Sequence, residues 1–225
     1  SPDLKPNRET YHTLRLSYND SRLQVNLQGF YKKCPHPNMA VYERTSDDRF
    51  IYTQRNQKEI DALHAMAYAS YWLMPEKLSV TAYGGLFRCF NFGHDYTHCY
   101  TSYFVTGALN AYLGNLSLHA YADNGSRFLE GETKGYSGGD IALKAAYSYK
   151  DWQFALIWQQ PFQHKYKMFE SEVLNRNLQK TTALYSSDAC NLVNLTVTWR
   201  LTKGRKFLAV NRSIQLKDSD TGIIR

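Results

Sequence analysis

Apolar and polar residues alternate along most of this chain. The alternating stretches are joined by connectors that are short, then long, then short again. In Asn191-Leu192-Val193-Asn194-Leu195-Thr196-Val197-Thr198-Trp199-Arg200-Leu201, residues Val193, Leu195, Val197, Trp199 and Leu201 share one face. Asn194, Thr196, Thr198 and Arg200 share the other. Successive side chains of a strand point to opposite sides, so this pattern predicts a strand with one apolar and one polar face. Eight further stretches behave alike, starting near residues 11, 22, 58, 78, 97, 116, 141 and 152. The eighth ends at Pro161, which cannot donate to a ladder. The stretch 58–73 also carries a helical stripe (Ile60, Leu63, Ala67, Tyr71); its closing Tyr71-Trp72 and its place in the series favour a strand.

The connectors after strands one, three, five and seven are tight: Asn19-Asp20-Ser21, Pro75-Glu76-Lys77, Gly114-Asn115 and Lys150-Asp151. Those after two, four, six and eight are expected to be long. The first of these holds Pro35, Pro37 and a small hairpin around Ser46-Asp47-Asp48, and the last, 162–189, is the longest. Short turns on one side and long loops on the other are the signature of an outer-membrane barrel, whose outside meets lipid and whose lumen meets water. A soluble sandwich would not sort its loops this way. Tyr18, Tyr71, Trp72, Tyr112, Tyr149 and Trp152 flank the tight turns like an interfacial girdle. The expected lumen face includes Arg15, Arg22, Gln24, Asn26, Lys144 and Arg200. The fold class is therefore all-β, an antiparallel transmembrane β-barrel with about nine strands in this chain. Closed single-chain bacterial barrels are even-stranded, so an odd count means either one strand more than the alternation shows or part of a larger wall.

Composition agrees once that pattern is known. The chain has 225 residues, 43% apolar and 15% aromatic with 18 Tyr. Its mean hydropathy of −0.53 reads as soluble, but a barrel wall dilutes its apolar residues with lumen-facing polar ones. No stretch reaches the roughly 18 apolar residues of a membrane-crossing helix. The net charge of +7 is scattered, densest at Lys203, Arg205 and Lys206, with no recognition-helix pattern, so no nucleic-acid partner is expected. Cys34, Cys89, Cys99 and Cys190 form no CxxC pair. Cys89 and Cys99 lie on neighbouring strands near one loop, but with opposite parity, which argues against a bridge. His94, Asp95, His98 and Cys99 are metal-ligating types, yet chance in a polar loop accounts for them. No GxSxG, P-loop or GxGxxG is present, so no catalysis and no cofactor are expected. Recognition is expected in the long loops, where Tyr and Arg are the usual contact residues. The candidate ligand contacts are Tyr42, Arg44, Arg49, Tyr52, Tyr96, Arg127 and Tyr136.

Several short stretches resemble one known family. They are Ser1-Pro2-Asp3-Leu4-Lys5-Pro6, Phe50-Ile51-Tyr52-Thr53 before Asn56-Gln57, and Tyr96-Thr97-His98. Trp199-Arg200-Leu201 follows, then Gly204-Arg205-Lys206 and the tail Asp218-Ser219-Asp220-Thr221-Gly222-Ile223-Ile224. Together they resemble the C-terminal barrel segment of TonB-dependent outer-membrane receptors, of the Bacteroidetes type. The resemblance implies a barrel of about 22 strands, closed by a plug domain that is not in this sequence. It implies coupling through that plug to the TonB energy-coupling complex, contact with outer-membrane lipid, and import of a nutrient ligand. Residues 1–201 would then be a partial barrel and 202–225 a periplasmic tail. The alternative is a self-contained small outer-membrane barrel acting as an adhesin or anchor, with a soluble β-sandwich behind it.

Overall fold

The computed structural model describes residues 4–201. It shows an all-β, antiparallel protein with fifteen strands and no helix among those residues. In chain order the strands are β1 (Thr10–Asn19), β2 (Leu23–Pro35), β3 (Asn38–Arg44), β4 (Phe50–Asn56), β5 (Glu59–Met74), β6 (Leu78–Phe92), β7 (Thr97–Leu113) and β8 (Leu116–Asp123). Then come β9 (Ser126–Glu130), β10 (Thr133–Ser137), β11 (Ile141–Tyr149), β12 (Trp152–Gln159), β13 (Tyr166–Leu174), β14 (Gln179–Ser186) and β15 (Leu192–Trp199). Nine of them form one sheet in the order β1-β2-β5-β6-β7-β8-β11-β12-β15. These are the nine strands expected from the alternation. The ambiguous stretch is β5, paired along its whole length with β2 and β6. A helix there would leave one edge of each of two neighbouring strands without a ladder partner, so tertiary pairing overrides the local stripe.

The register makes each face continuous. Leu16 lies opposite Leu27, Leu27 opposite Ala67, Ala67 opposite Gly84 and Gly84 opposite Val105. Farther along, Leu118, Ala145, Leu156 and Leu195 form another apolar row. The alternate rows are mainly polar: Ser17, Asn26, Tyr68, Tyr83, Thr106 and Asp123 in one. Another runs through Asn110, His119, Lys144, Ile157 and Asn194. Arg15, Gln24, Asn26 and Lys144 therefore share the polar face, as expected from the alternation. Exposure is inverted relative to a water-soluble protein. Leu14, Leu86, Val105 and Leu195 are 68, 60, 55 and 67% exposed. Along β7, Tyr103, Val105, Gly107 and Leu109 are exposed while Phe104, Thr106, Ala108 and Asn110 are shielded. The sheet thus curls toward its polar face. β1 and β15 are its two edges and have no further strand partner among the described residues.

All four tight turns are present, and three use a left-handed residue: Glu76 (φ 60), Gly114 (φ 60) and Lys150 (φ 53). At the opposite end the expected hairpin around Asp47-Asp48 is β3–β4. Two departures from the sequence expectation occur at this end. The connector after strand four is short: β6 runs on to Phe92, past its expected end near Phe90, while β7 starts at Thr97 as expected, so only residues 93–96 lie between them. The sixth and eighth connectors are not irregular. They contribute β9–β10 and β13–β14, which join in a second, four-stranded sheet, β14-β13-β10-β9. The 202–225 tail, with most of its motif residues, lies outside the described residues, as do Ser1, Pro2 and Asp3.

Glycine placement tests this register. A Cβ on Gly85 would meet the Ala65 carbonyl oxygen at 2.6 Å and Met66 Cγ at 2.9 Å. A Cβ on Gly29 would meet nothing nearer than 3.7 Å. Gly85→Ala is expected to lower stability by about 1–3 kcal/mol, as overpacking does. Gly29→Ala is expected to leave it level or raise it through reduced chain entropy. Urea midpoints of the two variants measure the contrast; equal losses would contradict the pairing of β5 with β6.

Candidate functional site

Most of the dry interior lies at the long-connector end, not between the wall strands. Cys34, Met39, Val41, Cys89, Leu129 and Val173 are buried there beside Gln57, Asn91 and Glu132. Asn91 is fully buried. Its amide donates to the carbonyls of Leu129 and Gly131, each at 3.4 Å, and its oxygen accepts from Cys89 Sγ at 3.3 Å. A buried amide must find such partners or forfeit about 1–3 kcal/mol, so this one ties the end of β6 to the β9–β10 turn. That turn is Gly131-Glu132. Gly131 sits at φ 56, the Gly-first signature of a two-residue hairpin.

Glu132 is the second tie. Its carboxylate accepts the Tyr42 backbone N–H at 3.2 Å and the Asn175 side-chain amide at 2.8 Å. The same Asn175 amide donates to the Tyr42 carbonyl at 3.1 Å. Asn175 Oδ1 meanwhile accepts the backbone N–H groups of Asn177 and Leu178, shaping the turn between β13 and β14. One carboxylate and one amide thus join the β3–β4 hairpin, the β9–β10 turn and the β13–β14 turn.

These elements enclose a cleft of about 800 Å³, lined by Tyr42, Arg44, Arg55, His94, Asp95, Tyr96, His98, Asn175 and Arg176 among others. Tyr96 stacks on His98 at 4.9 Å, and its hydroxyl reaches Met39 Sδ at 3.5 Å. Burial, with Glu132 nearby, pushes the Tyr96 phenol well above the usual tyrosine range, so it stays a neutral donor. The ring needs Gly93: a Cβ there would lie 2.3 Å from it. His94 is held by its own N–H on Gln57 Oε1 and by Nε2–H on the Asn56 carbonyl. Arg44 pairs with Asp48 at 3.0 Å and Arg55 with Glu43 at 2.6 Å. Arg176 has no ion pair among the described residues.

Of the seven candidate contacts, the fold brings Tyr42, Arg44 and Tyr96 to this cleft. Arg127 and Tyr136 line a separate hollow of about 460 Å³ on the second sheet, among Lys134, Lys167, Glu170 and Glu172. Arg49 is paired with Asp47 at the tip of the hairpin. Tyr52 is exposed, its ring 5.1 Å from that of Tyr42. Glu132, Asn175 and Arg55 were not candidates. Gly131-Glu132 between short alternating runs, and Asn175-Arg176-Asn177, are the turn signals that could have found the first two. His98 and Cys99 are consecutive on β7 and face opposite sides. No three metal-ligating side chains converge among the described residues, and the four cysteines are free thiols.

The cleft offers guanidinium, imidazole, phenol and amide groups with charge of both signs, an arrangement suited to holding a polar molecule. The chain matches no known family model, no curated protein and no solved structure.

Glu132→Ala removes the acceptor shared by Tyr42 and Asn175, at a cost of about 1–3 kcal/mol. The Tyr42 amide is then expected to exchange its hydrogen roughly ten- to a hundredfold faster. Unchanged exchange would show that the carboxylate does not hold the hairpin.

Proposed function

We propose that this chain is the C-terminal wall segment of a TonB-dependent outer-membrane transporter, which binds a nutrient ligand at its outer end and imports it. The observation that carries the reading is the inverted sheet. An apolar face runs unbroken across nine strands and is exposed, while along the inner strands β5 to β8 the polar face is the more shielded one. Monomers in water rarely leave contiguous apolar patches beyond about 300–600 Å²; a bilayer is the solvent that makes such a face stable. The outward face is also free of Lys and Arg through its middle rows, as hydrocarbon demands.

Three further features support the reading. Four tight turns lie at one end, and three of the four connectors at the other are elaborated, the arrangement of periplasmic turns and extracellular loops. The edges β1 and β15 each leave a row of backbone groups that lipid could not satisfy, so further strands must close the wall. The motif stretches resemble the same receptor family. On this reading the cleft between the β3–β4 hairpin and the second sheet receives the ligand. The lumen row of Asn110, His119 and Lys144 lies below it. A plug contributed by another part of the protein carries the TonB contact.

Arginine placed at the lipid midplane costs about 2–4 kcal/mol, and in the lumen almost nothing. Val197→Arg and Leu143→Arg are therefore expected to block membrane assembly. Asn194→Arg and Lys144→Glu are expected to leave it intact. Heat-modifiable gel migration of the assembled protein scores both sets, and equal tolerance would overturn the lipid and lumen assignment.

A further inference from the structure

The outward face has a shallow groove of about 870 Å³, within the ligand-sized range of about 300–1,000 Å³. Gly29, Ala67 and Gly84 form its floor, with Leu16 on one wall and Leu86 and Val105 on the other. The sheet itself does not require all of this emptiness. A Cβ at Gly29 would come no closer than 3.7 Å to its surroundings, and one at neighbouring Gly107 would touch nothing within 4 Å. Glycine inside a strand weakens it by about 0.5–1 kcal/mol and marks places where another molecule or backbone comes close.

Two guanidinium groups stand at the loop-side rim of this groove. Arg88 is two residues beyond Leu86 on the same face of β6, exposed, and 5.0 Å from the Phe90 ring centre. Arg127 donates to the Tyr103 carbonyl at 3.3 Å, where β7 outruns β8, and lies over the rings of Tyr103 and Tyr136 at 5.4 and 5.0 Å. Neither has a carboxylate partner among the described residues, whereas Lys33, Arg44, Arg49, Arg55, Lys134 and Lys167 are all paired. The nearby acids are engaged: Asp61 accepts from the Tyr31 hydroxyl and Glu59 pairs with Lys33. A second copy of the chain on this face would find no free carboxylate there for either arginine.

We infer that this groove and its rim bind a phosphorylated, multiply acylated lipid of the outer leaflet. Acyl chains occupy the apolar trough, and the headgroup phosphates bridge Arg88 and Arg127, whose planar forks match phosphate oxygens. The inference rests on the membrane reading above.

The test uses the full protein, in which further strands close this wall, in nanodiscs of phosphatidylcholine doped with bis-phosphorylated lipid A or with its dephosphorylated form. Native mass spectrometry counts the lipid retained after detergent extraction. The phosphorylated form is expected to be retained selectively. Arg88→Gln is expected to weaken retention about tenfold, as loss of one charge-assisted contact does, and Arg88→Lys less than that. Ala67→Phe, which fills the trough, is expected to weaken it as well. Equal retention of both lipid forms, or no effect of Arg88→Gln, would overturn the proposal, as would a dimer that displaces lipid from this face. Heat-modifiable migration is read in parallel. A wild-type closed wall that fails to insert sinks the transporter reading, whereas one that inserts without a phosphate preference sinks only the lipid site.

Discussion

Every strand of the main sheet carries two unlike faces at once. The backbone ladders satisfy the peptide groups; what remains is that one face is leucine and valine and the other glutamine, threonine, lysine and histidine. Because side chains alternate with period two, a register slip by one residue would send a whole strand's leucines to the polar side. That constraint fixes the pairing of all nine strands together, from Leu16 opposite Leu27 to Leu156 opposite Leu195. It also explains the sparse core. A single sheet has no interior to fill, so tight burial is concentrated where extra strands fold over the long-connector end.

That end is built on different physics. Few large apolar side chains are available there, and much of the order comes from partnered buried polar groups, Asn91 and Glu132 above all. Asn91 and Glu132 each join segments about 40 to 90 residues apart in the chain. Such groups give direction as well as stability, because a buried amide or carboxylate tolerates few alternative positions. The cleft beside them inherits that order: Tyr96 is fixed by Gly93, His98 and Met39 rather than left as a free loop side chain. A rigid frame around a polar cleft lowers the entropy lost when a ligand binds.

The main sheet was legible in the sequence because its two unlike faces are written residue by residue. Strand positions, faces and tight turns could all be read from local alternation, and the β3–β4 hairpin from Pro37 and Asp47-Asp48. The second sheet was not. In Glu170-Ser171-Glu172-Val173 both faces are largely polar, so no period announces a strand; partners elsewhere in the chain make it one. Asn91 looked like the start of a polar loop because a lone asparagine usually is one. Here it is a buried tie, and β6 continues through it to Phe92. Three of the seven candidate contacts share the cleft and four do not. Residue type could nominate Tyr and Arg, but only the cross-chain ties decide which of them meet.

The central claim is that the exposed apolar face meets lipid and the shielded polar face meets water. Single cysteines placed in turn from Val193 to Thr198 along β15, in an otherwise cysteine-free chain, can carry a fluorophore in reconstituted bilayers. Quenching by brominated acyl chains and by an aqueous quencher then reports the solvent at each position. The two signals are predicted to alternate out of phase with period two, lipid at 193, 195 and 197 and water at 194, 196 and 198. A uniform profile, or aqueous quenching at the odd positions, would contradict it.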